Sequence, residues 1–333
     1  MPRHGRALAY HFPSCDVLVG GQGAEVWRMN LEVGRFMKPF GMEGAAVDDG
    51  GEAGVGIGGG QDTVTGVNAI DINPAHQLMA FGTETAMGRG TVELWDPRSR
   101  SRSGILRLPY AKLLNASGSS ATLLAHSIPG VDDIAMGNAG VAVTSLASKF
   151  DGLNLAVGTS TGHILLYDLR SNRPYTTKDQ GYGLPIKKVE WVESGSGGDG
   201  EREGGWIASA DEKVVKIWGK ETVCPSPPFP YVLADVHVVQ GSNLISINPP
   251  MPVNDMHIYP SSGLMFLANE TSPMTAYYIP QLGPAPKWCR FLDNMTEEME
   301  DGQEELMYDD YKFVDRQELD RSVFPPSFPL ALN

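Results

Sequence analysis

The chain has 333 residues, 41% of them hydrophobic and 20% charged, with a net charge of −14. That balance fits a folded globular chain and excludes a disordered one, and no run approaches the ~18 apolar residues of a membrane-spanning helix. The charge is uneven: residues 293–320 hold twelve acids against Lys312 and Arg316, so the remainder is nearly balanced and the sum alone does not argue against an anionic partner.

The first residues, Met1 to Arg6, are basic but lack the apolar run of a secretory signal. Cys15, Cys224 and Cys289 are far apart in sequence and form no CxxC pair. Neither a disulfide scaffold nor a zinc site is expected, and a reducing compartment fits.

A first unit of short apolar strands runs from Leu8 to Asn30 and ends near Trp27. The stretch 41–66 follows. Its glycines between Gly50 and Gly60 invite a phosphate-loop reading, but no Lys-Ser/Thr follows and the next element is strand-like, so it reads as a linker. The second unit opens with VNAIDINPAHQLMAFGTE (Val67 to Glu84) and closes at Trp95 in TVELWDPR. After the inserted loop 111–140, the third unit opens with VTSLASKFDGLNLAVGTS (Val143 to Ser160) and closes at Tyr167 in HILLYDLR. The fourth spans Ile186 to Lys220, is interrupted at 194–205, and ends at Trp218. Past the Pro-rich 224–252, the fifth opens with VNDMHIYPSSGLMFLANE (Val253 to Glu270) and closes at Tyr278 in MTAYYIP.

The three eighteen-residue openings align without gaps. Each begins with Val, places an apolar residue three positions on (Ile70, Leu146, Met256), turns at Pro or Gly, and ends a second apolar run on a small residue (Gly82, Gly158, Ala268). Strand–turn–strand units recurring without helices between them predict radially arranged four-stranded blades. The closing aromatics are 68, 72, 51 and 60 residues apart, wider than the roughly 40–45 of a plain WD repeat, and the four insertions account for the excess. The fold class is therefore all-β, a WD-repeat β-propeller of about five blades. Residues 1–290 form the partial propeller and residues 291–333 an acidic tail with a short helix.

Candidate sites are few. Arg98, Arg100 and Arg102, with Arg107 close behind, follow a third strand, where guanidiniums can grip phosphates through bidentate hydrogen bonds; the alternative is a solvated basic loop. The string Lys178 to Lys188 joins two blades. There Tyr182 offers a stacking face beside Lys187 and Lys188, though every blade needs such a crossover, with its tyrosine packed between blades. Leu282 to Cys289 is Pro-rich and leaves the sheet. Beyond it, residues 291–300 read as an acidic helix whose stripe of Leu292, Met295 and Met299 docks either on the propeller or on a partner protein. His163 and His257 fall within strands, where a packed or hydrogen-bonded histidine is usual. No catalytic residue, metal site or cofactor is nominated, and no small-molecule substrate or membrane contact is expected.

Several longer strings go further. LEVGRFMKPF (Leu31 to Phe40), VELWDPRSRSR (to Arg102), YDLRSNRP with KDQGYGLPIKKVEW (Tyr167 to Trp191), ANETSPMTAYYIPQLGPAPKWCRFLDNMTEEMED (Ala268 to Asp301) and YDDYKFVDRQEL (Tyr308 to Leu319) resemble the nucleolar protein 10 family, called essential nuclear protein 2 in fungi. The resemblance implies a nucleolar, non-catalytic scaffold of the small-subunit processome. Its partners would be processome proteins and pre-ribosomal RNA, met by the arginine run as an RNA or ribosomal-protein contact. It also implies a larger, seven-bladed ring with repeats upstream of Met1, so that Met1 reads as an internal start or a truncated gene model and five blades as an open arc. Residues 321–333 depart from the family's continuation, and its lysine-rich C-terminal region is absent. A competing reading comes from Trp95-Asp96-Pro97-Arg98 and Tyr167-Asp168-Leu169-Arg170, which fit the short WDxR-like motif of cullin ubiquitin-ligase substrate receptors. That motif is weak, because Asp and Arg after a blade aromatic are common in WD repeats.

Overall fold

The structure, a computed structural model, describes residues 4–43, 63–110, 112–113, 140–192, 205–219, 243–271 and 274–296. Most of each expected insertion lies outside the described residues, as does the tail from residue 297 onward with Met299.

Among the described residues, nineteen strands form five antiparallel sheets. The first blade holds β1 (Gly5–His11), β2 (Asp16–Gly21), β3 (Glu25–Asn30) and β4 (Arg35–Gly41). The second holds β5 (Val64–Ile72), β6 (Met79–Thr85), β7 (Thr91–Asp96) and β8 (Ser101–Arg107). The third holds β9 (Val143–Ser148), β10 (Asn154–Thr159), β11 (His163–Asp168) and β12 (Pro174–Asp179). The fourth holds β13 (Lys188–Val192), β14 (Trp206–Ala210), β15 (Val215–Gly219) and β16 (Asn243–Ile247), and the fifth β17 (Val253–Ile258), β18 (Leu264–Asn269) and β19 (Thr275–Tyr278). Strands pair in chain order within each blade, and the first strands β1, β5, β9, β13 and β17 pack one against the next. They line the axis while the later strands fan outward, which is the propeller the repeat predicts.

The apolar core lies between blades, in four clusters that each bridge two neighbours. Leu18 and Val26 meet Val67, Met79, Phe81 and Trp95; Leu94 and Leu106 meet Val143, Leu155 and Tyr167. Ile164 and Leu166 meet Ile186, Ile207 and Trp218, and Ala210 and Val215 meet Val253, Met256 and Met265. This explains the repeat's two fixed points. A Cβ on Gly82 would lie 2.5 Å from Val143 Cγ1, and one on Gly158 would lie 2.8 Å from Ile186 Cγ2. The opening residue of each unit thus sits on the small residue of the unit before it. Sheets packed this tightly have no room for an added methyl group.

Two expectations change on this frame. The span 224–252, expected as a loop, contains β16, whose Leu244, Ile245 and Ile247 pack on the cluster between the fourth and fifth blades. Its prolines hid a short apolar run. Similarly, β4 reaches Gly41, β5 begins at Val64, and Leu113 in the loop 111–140 is buried between the second and third blades.

The closing aromatics all fall on third strands, but only three share one register. Trp95 pairs with Met79, Tyr167 with Leu155 and Trp218 with Ile207, and each ring packs toward the preceding blade. In the fifth blade Tyr277 holds this position, opposite Met265. Tyr278 points to the other face, because successive strand residues alternate. Its hydroxyl bonds the Asp293 carboxylate beyond the sheet. In the first blade Met29, paired with Val17, takes the position; Trp27 is two residues short of it and stacks edge-on against Phe36 at 6.3 Å.

Because strands alternate in direction, first-to-second and third-to-fourth turns share one end of every blade, here called the hairpin end. Second-to-third turns and crossovers share the other. Neighbouring blades are tied at both ends. His76 Nε2 lies 2.7 Å from the Gly152 carbonyl at the hairpin end, and Gly23 N donates to Thr65 O at 2.8 Å at the crossover end.

Candidate nucleic-acid and partner interface

The turn from β7 to β8 carries the arginine run. Asp96 Oδ1 accepts Arg98 N at 2.8 Å and Asp96 O accepts Arg100 N at 2.8 Å. Arg100 adopts φ 54°, a left-handed conformation uncommon outside glycine. This fixed turn leaves both side chains exposed, and among the described residues neither forms an ion pair.

Arg102 is placed differently. It lies in β8, with Nη2 3.2 Å from Glu43 and Nη1 4.0 Å from Glu93, a fully buried carboxylate that also accepts Trp95 Nε1 at 3.0 Å. Its charge is already engaged with the blade. Arg107 is exposed at the far end of β8, beside Thr91 in register, so it does not join the cluster at the turn.

The matching turn one blade on, Tyr167 to Arg170, was legible in sequence only as a WDxR-like motif and not as an arginine site. There Asp168 Oδ1 accepts Arg170 N at 2.9 Å, as Asp96 does for Arg98, and Arg173 is exposed beside it. The signal was the paired strings WDPR and YDLR. The Arg170 side chain, however, returns to its own Asp168 carboxylate at 2.6 Å.

The crossover after β12 occupies the opposite end. Gln180 anchors it: fully buried, its Nε2 donates to Ser209 O at 3.2 Å and Val214 O at 3.3 Å, and its Oε1 accepts Ser209 Oγ at 2.9 Å. Ile186, not Tyr182, packs between blades; Tyr182 is 46% exposed, and Lys187 is exposed as well. Lys188 belongs to β13 on the axis, 3.9 Å from Asp255. Tyr182 and Lys187 are therefore each exposed on this crossover, at the end of the blades away from the arginine turn.

The exit segment is bound down by a polar contact. Leu282 and Cys289 are buried, and Asp293 Oδ1 also accepts Ala285 N at 3.0 Å. Residues 291–296 are helical, with Leu292 half-buried and Met295 45% exposed. The helix start is thus held to the fifth blade through Asp293 and Tyr278. His163, buried in β11, has Nδ1 3.0 Å from Thr161 Oγ1, and burial lowers its pKa. His257 is hydrogen-bonded but largely exposed. Among the described residues no group of His, Cys, Asp or Glu is placed to hold a metal ion.

Comparison with known proteins agrees with this architecture. A chain in a crystal structure of the mitotic checkpoint complex superposes with TM-score 0.51 at 15% identity, over 84% of this chain and 62% of that one, a likeness of fold alone. A Schizosaccharomyces pombe protein named ribosome biogenesis protein enp2 homolog is 43% identical over 96% of this chain and 41% of its own length. Nucleolar protein 10 of Xenopus laevis is 40% identical over 96% of this chain and 36% of its own, and ribosome biogenesis protein ENP2 of Saccharomyces cerevisiae 34% identical over 96% and 35%. The chain thus spans about two fifths of the length of these relatives. The family model for the nucleolar protein 10-like N-terminal domain, a β-propeller, matches residues 1–303, and the chain belongs to this nucleolar family.

Proposed function

We propose that the chain acts in ribosome biogenesis as a non-catalytic scaffold of the small-subunit processome, meeting pre-ribosomal RNA or an acidic partner through its exposed arginine turn. Family membership supports the role in ribosome biogenesis. The observation that carries the finer reading is the β7–β8 turn, where a hydrogen-bonded backbone presents Arg98 and Arg100 to solvent and, among the described residues, neither guanidinium forms an ion pair. Such groups bind phosphate without first breaking an ion pair. Tyr182 and Lys187, at the other end of the blades, offer a second contact by stacking and charge.

Affinity purification of the tagged chain from nucleolar extract tests this reading. Precursor ribosomal RNA and small-subunit assembly factors are expected in the eluate. Recovery of a cullin adaptor in their place would overturn it in favour of a ubiquitin-ligase receptor.

A further inference from the structure

A cavity of about 270 Å³ opens at the hairpin end of the axis, between the first strands of four successive blades. Its wall includes Asp71 of β5, Ser148 of β9, Glu190 and Trp191 of β13, and His257 and Ile258 of β17, with Phe150 and Tyr259 at its rim. At this size it suits a single long side chain better than a cofactor, since sites for whole small molecules run to roughly 300–1,000 Å³.

The two carboxylates occupy equivalent places in their blades and do the same structural work. Asp71 Oδ2 accepts Ser148 N at 2.6 Å, and Glu190 Oε2 accepts Ile258 N at 2.9 Å, each reaching the first strand of the next blade. Among the described residues neither carboxylate has an ammonium within ion-pair distance, and Lys188 acts on Asp71 only through space. Lys188, also in the wall, lies 3.9 Å from Asp255, and Glu190 Oε1 meets only the imidazole of His257, at 2.8 Å. Burial raises the Asp71 pKa against the Ser148 and Ile72 hydrogen bonds and the Lys188 charge, which lower it. The wall also carries the aromatic side chains of Trp191, Phe150 and Tyr259. Lys149 Nζ sits 5.5 Å over the Trp191 ring and 3.6 Å from the Asp151 carboxylate, so a cation is already accommodated beside that indole. At the rim Phe150 is 60% and Tyr259 39% exposed, and Trp288, 64% exposed, packs edge-on against Tyr259 at 6.1 Å.

We propose that this cavity receives the guanidinium of an arginine side chain, presented on an extended segment of a partner protein. Carboxylates on separate strands suit a planar fork with several N–H donors, and the aromatic faces suit a weakly hydrated, stacking cation; a compact ammonium exploits neither as well. Tyr259 with Trp288 packed on it, and Phe150 elsewhere in the same wall, offer exposed apolar surface to the residues flanking the arginine, so the occupant is a polypeptide and not a free amino acid. This inference is independent of the role proposed above.

Fluorescence anisotropy with a labelled Ala-Leu-Arg-Leu-Ala peptide and its citrulline counterpart tests it on the full chain. Citrulline keeps the shape and removes the charge. The arginine peptide is expected to bind at least about tenfold more tightly. The double variant Asp71→Asn/Glu190→Gln keeps both acceptors for Ser148 and Ile258, so it should stay folded while its affinity for arginine falls to the citrulline level. Phe150→Ala, at an exposed position, should weaken binding severalfold. Equal binding of the two peptides, no binding of the arginine peptide at millimolar concentration, or an arginine preference that survives in a folded double variant would each overturn the proposal. If the double variant does not fold, the wild-type comparison and Phe150→Ala still decide it.

Discussion

Asp16 and Arg28 are almost wholly buried in the first blade, and their side chains meet directly. Asp16 also accepts Ser14 Oγ at 2.8 Å and Asn30 Nδ2 at 3.0 Å, while Arg28 lies 4.8 Å over the Phe40 ring. Burial alone would raise the Asp16 pKa, but these donors and the guanidinium outweigh it and hold the carboxyl below its usual value. Removing one partner strands a buried charge, so Asp16→Ala should cost about 3–5 kcal/mol, read as a lower urea midpoint. Lys178 presents the opposite case. It is buried over the Trp218 ring and bonded to Asn243 Oδ1 at 2.7 Å; burial, helped by Lys216, pulls its pKa down to about 8. Between that value and 10.5, the unfolded chain carries a proton that the folded chain has released, so stability should rise with pH across the window. Lys178→Met should therefore be the more stable form at pH 7, by roughly 2 kcal/mol, with the gap closing by pH 10.5. A gap that stays constant in melts across this range would contradict that account of Lys178.

At the scale of the element, the repeat was legible because packing repeats. Val67, Val143 and Val253 open their units alike because each must lie against the blade before it. The third-strand aromatics were legible for the same reason, except where a neighbouring aromatic competed. In Tyr277-Tyr278, residue type alone cannot tell which side chain faces the preceding blade, and in Trp27-Arg28-Met29 it cannot tell which of two residues on one face takes the shared position, since both depend on register. β16 was missed because its five residues are bounded by a long Pro-containing segment. The exposed arginines were legible as a cluster, but not the capture of Arg102: Glu93 reaches it through the pairing of β7 with β8, and Glu43 reaches it from beyond β4 of the first blade. The packing claim can be tested at Gly158. An added methyl group would press on Ser145 in the same blade and on Ile186 of the next, whose branched Cβ has little rotamer freedom, so Gly158→Ala should destabilise by about 1–3 kcal/mol in denaturant titration. Ala268→Gly, in the last described blade, should not reproduce that loss by overpacking.

The molecule as a whole divides into a packed frame and a small number of charged projections. The frame buries its apolar residues between blades, so exposed turns can change without disturbing it. Arg98→Ala/Arg100→Ala should leave the melting temperature nearly unchanged, since exposed charges add little stability. If the contact is to single-stranded RNA phosphates, wild-type binding should fall with salt by about 0.7 log units per log unit for each phosphate neutralised, and the double variant should lose up to two such increments. Lysines at both positions should restore most of the salt slope but not the full affinity, because lysine cannot form the bidentate fork. The most direct measurement is ultraviolet crosslinking of the wild-type chain and the Arg98→Ala/Arg100→Ala variant to RNA in cells, followed by sequencing of the bound RNA. The account predicts crosslinks to precursor ribosomal RNA in the wild type and a marked loss in the folded variant. Equal crosslinking of both, or none to precursor ribosomal RNA in the wild type, would contradict it.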